Sequence, residues 1–333
     1  MPSFFTFGHS THSLKEIKKI LDYYLLDYLV DVRRFPVSGR SLWLSKESLE
    51  EYFGKKYVYL GKYLGGYRKG GYEKHMETEE FKSGIKELLN LEGRVGIMCS
   101  EKLWFRCHRR YIADYLAKMG HVVIHIIDFR EYIHPSFPLT PIPKNFFERD
   151  AEIVARELLG KILVRKIGKT ILAGRIVETE AYYGKGDPAS RAKHGKKEYN
   201  KAMWLPGGHI FVYMVHANWM LNITTDGDEA QAVLIRSLEP LVGIKRMKMH
   251  RGVENIRELC RGPGKLSRAM AITSDMNSKP LEEKTGLWIT HAEFSGSIER
   301  SGRIGVKEDM EVPMRFFVKD SPFVSKIFYR KLS

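Results

Sequence analysis

The spacing of apolar and polar positions predicts alternating strands and helices from the start of the chain. Residues 3–7 read as a short strand. Ser13-Leu-Lys-Glu16 has the form of a capping box, and Leu14, Ile17, Ile20 and Leu21 then recur at helical spacing. Residues 28–32 form a second strand, which completes a strand–helix–strand unit of the parallel type. Helices are expected over 47–53 and 77–89, a buried strand over 95–98, a helix over 107–119 stopped by Gly120, and a strand over 122–127. The first half is therefore expected to be α/β, with a mostly parallel sheet between helices.

The segment His134-Pro-Ser-Phe-Pro-Leu-Thr-Pro-Ile-Pro143 holds four prolines in ten residues. Proline removes donors and stiffens the chain, so an extended connector is expected there. The domains are then 1–133 and 144–333, with the boundary near residue 140. In the second half Asp150 is placed to cap a helix to residue 159, with Ile153, Leu158 and Leu159 on its apolar side. Strands are expected over 162–167 and 170–182, joined by a turn at Gly168-Lys169, then over 209–215, 219–225 and 232–237. Helices over 241–250 and from Leu266, with strands over 287–290 and 314–318, complete the pattern. Strands in adjacent pairs with helices set apart predict an α+β domain around a curved antiparallel sheet.

The run Gly174-Arg-Ile-Val-Glu-Thr-Glu-Ala-Tyr182 is the centre of that domain. Side chains alternate along a strand, so Glu178, Glu180 and Tyr182 share one face. Two carboxylates beside an aromatic ring suit chemistry on a flat, electron-poor ligand. A half-solvated strand with an apolar back would carry the same pattern.

Composition narrows the setting. The 333 residues are 43% hydrophobic and suit two soluble globular domains. No run approaches the roughly 18 to 20 apolar residues of a membrane span, and the N-terminus carries no basic segment followed by an apolar one. Three cysteines, Cys99, Cys107 and Cys260, argue against a disulfide framework and for a reducing, cytoplasmic compartment. Gln231 is the only glutamine among many Lys, Arg and Glu, a bias expected of a thermophile. The net charge of +15 is spread over both halves and favours a polyanion, nucleic acid first.

In the first half, polar groups gather where three strands end: Gly8-His9-Ser10, Asp31-Val-Arg33 and Cys99-Ser-Glu101. Parallel sheets place their ligand crevice outside these carboxyl ends. Cys107-His-Arg-Arg110 then opens a helix, where free amides favour an anion or a thiolate. His9, Asp31, Arg33, Cys99, Glu101, Cys107, His108 and Arg109 are thus candidates for a phosphate- or thiol-handling site, or for an inert structural cluster. The two cysteines are eight positions apart, which is no zinc-ribbon spacing, so no closed metal site is expected. No Cys-x5-Arg phosphatase loop follows either cysteine. With Phe35-Pro36 and Leu64-Gly65-Gly66, these motifs resemble a small prokaryotic domain family of no settled function, over most of residues 3–128. The resemblance implies no activity.

The second half resembles the alkyladenine (3-methyladenine) DNA glycosylase family over residues 141–326. The motifs fall in the family's order: Phe146-Phe147, Leu158-Leu159-Gly160-Lys161, the central run to Tyr182, and Asp187-Pro-Ala-Ser190. They continue through Val212-Tyr213, Leu221-Asn222, Val233-Leu-Ile-Arg-Ser-Leu-Glu-Pro240, and Glu258-Leu-Cys-Arg-Gly-Pro-Gly-Lys-Leu266. Arg303-Ile-Gly305, Arg315-Phe-Phe-Val318 and Ser321-Pro-Phe-Val-Ser325 close the series. The resemblance implies a monofunctional enzyme, a monomer needing no metal or cofactor. It would flip an alkylated or deaminated purine (the 3-methyladenine, hypoxanthine and ethenoadenine class) from double-stranded DNA and leave an abasic site. It assigns the water-activating carboxylate to Glu180, stacking to Tyr182 and Tyr213, exclusion of the guanine amino group to Asn222, and a pocket-lining position to Arg236. Lys265 and Arg303 become phosphate contacts. Two positions depart from the family: Arg191 stands where it has a histidine, and His216, on a shorter hairpin tip, replaces its aromatic wedge. Two other readings remain open, a catalytically silent lesion binder and a first-half hydrolase with a DNA-binding second half.

Overall fold

The computed structural model describes residues 2–36, 42–226 and 229–325. The chain divides into two compact units between Pro138 and Leu139. In the first unit β1 (Ser3–Gly8), β2 (Tyr28–Asp31), β3 (Tyr57–Tyr59), β4 (Arg94–Cys99), β5 (Val123–Ile127) and β6 (Arg130–Ile133) form a sheet in the order β3-β2-β4-β1-β5-β6. All pairings are parallel except β5–β6. Phe4, Val30, Val95, Ile97 and Val123 bury one face against Phe81, Ile85, Leu88, Ile112 and Leu116 from two helices. Ser13 and Glu16 form the expected capping box at the helix Leu14–Tyr24. The helix expected over 77–89 is Glu79–Leu89, capped by the Thr78 hydroxyl, after a separate turn at Tyr72–Met76. The helix expected from 107 starts at Arg109, leaving Cys107 in the loop before it. β3 and β6 escape the sequence pattern because one is three residues long and the other alternates at an edge.

In the second unit β7 (Ile162–Ile167), β8 (Thr170–Tyr182), β9 (Ile210–Val215), β10 (Asn218–Thr224), β11 (Ala232–Val242) and β12 (Leu287–Thr290) follow the order β12-β7-β8-β11-β10-β9. β13 (Ile298–Ser301) pairs with β14 (Arg315–Val318), which joins β8 at Glu178–Glu180. Every pairing is antiparallel. β8 is thirteen residues long and buried over its last eleven, so it carries neighbours on both edges.

Two expectations fail here for local reasons. The helix Ala151–Glu157, capped by Asp150, buries Ala151, Val154 and Ala155, whereas Ile153 is 46% exposed. Leu241 and Val242 belong to β11, not to a helix, which begins only at Ile244 after Gly243 at φ +77°. Proline cannot donate to a ladder, and the strand passes Pro240 with a register shift between Pro240 and Val242.

Of the proline-rich stretch, His134 bonds to Val123 and Asp114 in the first unit, while Pro141 and Ile142 pair with Thr290 and Ile289 in the second. No helix among the described residues is long and apolar enough to cross a membrane.

Candidate active site

β8 and β11 build the site through one irregularity. Glu180 faces Leu234, Thr179 faces Ile235, and Glu178 faces Ser237, so Arg236 is an extra residue in its strand. Such a bulge sets two side chains against one. Arg236 and Ser237 both reach Glu178, and Arg236 also reaches Glu180.

The two carboxylates are completely buried yet differ in how they are satisfied. Glu178 accepts from Arg236 Nε at 3.1 Å and Arg315 Nε at 2.7 Å on one oxygen. Its other oxygen accepts from the Ser237 hydroxyl at 2.7 Å and the Ser325 amide at 2.8 Å. A carboxylate has about four acceptor sites, so Glu178 is saturated. Burial alone would raise its pKa, but Arg236, Arg315 and the hydrogen bonds of Ser325 together hold it below the ordinary carboxylate value. Glu180 accepts the Ile304 amide at 2.8 Å on Oε1, and Arg236 at 3.0 Å with the Tyr182 hydroxyl at 2.8 Å on Oε2. Among the described residues it has three donors, and one site on Oε1 remains.

Beside Glu180 lies a cavity of about 670 Å³. Tyr182, Tyr213, Arg236, Ile304 and Met220 line it, and the exposed Arg191, Lys193, His216 and Lys307 form its basic rim. Glu180 itself is not in the lining but is hydrogen-bonded to three residues that are, Tyr182, Arg236 and Ile304. Burial and the Glu180 charge push the Tyr182 phenol well above its ordinary pKa, so it donates rather than ionises. The Tyr213 phenol is raised too, by burial. Arg191 lies with its guanidinium 4.7 Å from the centre of the Tyr213 ring.

Other expected site residues lie elsewhere. The Asn222 side chain is buried away from the cavity lining, with Nδ2 donating to the carbonyls of Phe211 and Met220 at 3.2 Å each. Arg303 is not a surface cation but 6% exposed, because its guanidinium is spent on Asp187, Asp309 and the Ala181 carbonyl. The phosphate contact expected of it is therefore corrected to a clamp. It ties the Asp187 loop to the end of β8, with its guanidinium 4.5 Å from the Tyr182 ring centre. Lys265 is partly exposed and pairs with Glu258 at 2.5 Å. His216 and Ala217, at φ +47° and +59°, form the two-residue tip between β9 and β10, so His216 projects from a turn that L-residues rarely adopt.

Sequence reasoning missed three contributors. Asp187 organises its loop by accepting from Tyr183 and Ala189 amides as well as Arg303. Ile304 gives a backbone donor that no side-chain pattern reveals. Lys307 lies two residues beyond the Arg303-Ile-Gly305 motif.

In the first unit the eight candidates do gather at the ends of β1, β2 and β4. Arg33 donates to both oxygens of Asp31, which also accepts from Tyr57 at 2.9 Å, and lies 3.4 Å from His9 Nε2. Burial, then Arg33, lowers the His9 pKa to about 4. The Glu101 carboxylate is exposed and accepts the Leu103 amide, while its carbonyl accepts from Arg109. Arg109 Nε donates to Cys107 Sγ at 3.4 Å. The hydrogen bond from Cys99, with help from His108 and Arg109, holds the Cys107 thiol down, and Cys99 is pushed up as its partner. Although eight residues apart in sequence, the two sulfurs and His108 Nδ1 all lie within 4.8 Å of one another.

Residues 145–322 match the family described as methylpurine-DNA glycosylase (MPG), and residues 13–116 match domain of unknown function DUF488. The chain is 41% identical over 194 residues to a candidate 3-methyladenine DNA glycosylase of Koribacter versatilis, covering 94% of that protein and 56% of this chain. It is 43% identical over 188 residues to one from Agrobacterium fabrum, covering 93% of it and 56% of this chain. A third, from Aeropyrum pernix, is 38% identical over 190 residues, with 93% of it and 56% of this chain covered.

Proposed function

The chain belongs to the methylpurine-DNA glycosylase family, and on that premise we propose that residues 139–333 remove damaged purines from double-stranded DNA by hydrolysing the N-glycosidic bond. The observation that carries this reading is the inequality of the two buried carboxylates beside the cavity. Cleavage leaves positive charge on the sugar, so the useful group is an anion that can also hold a water. Glu178, with four donors, can hold a water only by breaking a bond it already has. Glu180 keeps one acceptor site for a water proton. The water oxygen attacks the anomeric carbon as one of its protons passes to Glu180, the purine leaves with the bonding pair and takes up one proton, and the sugar keeps the hydroxyl.

A flipped purine must recover the few kcal/mol lost on unstacking. Tyr182 and Tyr213 offer rings for this, and the basic rim suits flanking phosphates. Glu180 is fully buried in the free protein, so its approach to the anomeric carbon requires its surroundings to shift. Arg191 bears on the substrate class. Its charge on the Tyr213 face disfavours purines made cationic by N-alkylation and favours neutral lesions such as hypoxanthine.

Glu180→Gln tests the assignment. Base release is expected to fall at least about 100-fold while binding to lesion-bearing duplex persists. An amide at 180 turns an N–H toward donors, so a melting curve must show that the variant is folded. Release at the wild-type rate would refute the role of Glu180. A wild type that binds the lesion but frees no base would make the protein a silent binder.

A further inference from the structure

The first unit holds a cluster that the glycosylase reading leaves unused. We propose that Cys99, Cys107 and His108 form a binding site for a zinc-class divalent cation, with its fourth position open to water or a small ligand. Distance is the first support. His108 Nδ1 lies 3.7 Å from Cys107 Sγ and 4.0 Å from Cys99 Sγ. Tetrahedral coordination with Zn–S of about 2.3 Å and Zn–N of about 2.0 Å sets S···N near 3.5 Å, so the two S···N gaps close by a few tenths of an ångström.

The second support is the tautomer. His108 Nε2 lies 3.0 Å from the Val32 carbonyl oxygen. A carbonyl only accepts, so Nε2 carries a proton, and Nδ1 is the nitrogen left facing both sulfurs, where a metal would take the place of any proton it shares with Cys107. Ligating histidines are oriented in this way by a carbonyl or carboxylate on the far nitrogen.

The third is space. Gly66 does not sit in the left-handed backbone region, so no turn demands a glycine there. A Cβ at this position would stand 2.9 Å from His108 Nδ1, and only glycine leaves the approach to that atom clear. Arg109, donating to Cys107 Sγ, favours the thiolate a metal needs without occupying the face toward His108. Two thiolates neutralise the dication. Among the described residues no fourth His, Cys, Asp or Glu joins the group, and three protein ligands are the mark of an open site rather than a closed structural one. The eight-residue spacing excludes a zinc ribbon but not this site, because the second and third ligands are sequence neighbours returned to the end of β4 by a loop.

The test titrates cobalt(II) into the full-length, reduced, chelator-treated chain. One equivalent is expected to bring up the visible bands of four-coordinate cobalt and a thiolate-to-cobalt charge-transfer band, and added zinc should bleach both. Cys99→Ser and Cys107→Ser should each weaken binding at least about 100-fold, Gly66→Ala about 10-fold, and Cys260→Ser not at all. The wild-type spectrum reads the ligand set directly, so the test survives a variant that fails to fold. No charge-transfer band from the reduced protein with excess cobalt would overturn the proposal, leaving a hydrogen-bonded thiol pair. So would a band that persists in Cys107→Ser.

Discussion

Glu178 and Glu180 sit two residues apart on one strand face, and what separates them is a single hydrogen-bond acceptor site. Both are buried, and both are held by Arg236. The fourth donor on Glu178 comes from Ser325, nearly 150 positions away, and no strand pattern announces it. Arg191 is the other residue-scale determinant. Arg191→His removes the fixed charge beside Tyr213 and is expected to raise release of 3-methyladenine relative to hypoxanthine by about 10-fold, on the order of 1.4 kcal/mol. Competition between the two lesions in one duplex mixture measures it, and an unchanged ratio counts against the charge argument. In the first unit His9 carries a pH signature. Its folded pKa, near 4, lies below the unfolded value of about 6.5. The unfolded chain therefore binds more protons in that window, and stability falls as pH drops from about 6.5 to 4, by up to about 3 kcal/mol. Arg33, Asp31, Ser10 and His12 are the groups around it. Denaturant unfolding across this pH range should show the loss in wild type and a shallower slope in His9→Gln.

At the scale of elements, the site depends on how β8 is clasped. The bulge at Arg236 aims one cation at two acids, and Arg303 pins the Asp187 loop to the strand end under Tyr182. Removing one partner of a buried ion pair strands the other, at about 3–5 kcal/mol. Arg303→Ala is expected to cost that much in unfolding free energy, with the salt dependence of DNA binding unchanged. A variant of normal stability whose salt slope falls by about one would restore Arg303 to the phosphate contacts. Much of this level was legible beforehand. The β7–β8 hairpin, the shared face of Glu178, Glu180 and Tyr182, and the caps at Ser13 and Asp150 follow from periodicity and turn chemistry. What stayed hidden was long-range. Arg303 looked like a surface cation because its acid, Asp187, is 116 residues earlier. Asn222 matched its motif, yet the β9–β10 pairing turns its amide onto backbone carbonyls.

For the whole molecule, the matched relatives span only the second unit: they cover 56% of this chain, while the chain covers 93–94% of each. The family match at 145–322 thus lies within the second unit, and the first unit matches a domain of unknown function. The α/β and antiparallel α+β classes were both readable from element order, since strand–helix alternation and adjacent strand pairs demand different sheets. The Cys99–Cys107–His108 cluster was not, because sequence spacing does not show where a loop returns. The +15 charge of the chain fits a polyanionic substrate without identifying it. The most direct measurement is mass spectrometry of what the full-length chain releases from hypoxanthine-bearing duplex in heavy-oxygen water. The expected result is intact free hypoxanthine, with heavy oxygen on the abasic sugar and no borohydride-trapped adduct. A trapped protein–DNA adduct, or a purine that never leaves the duplex, would contradict attack by a water held on Glu180.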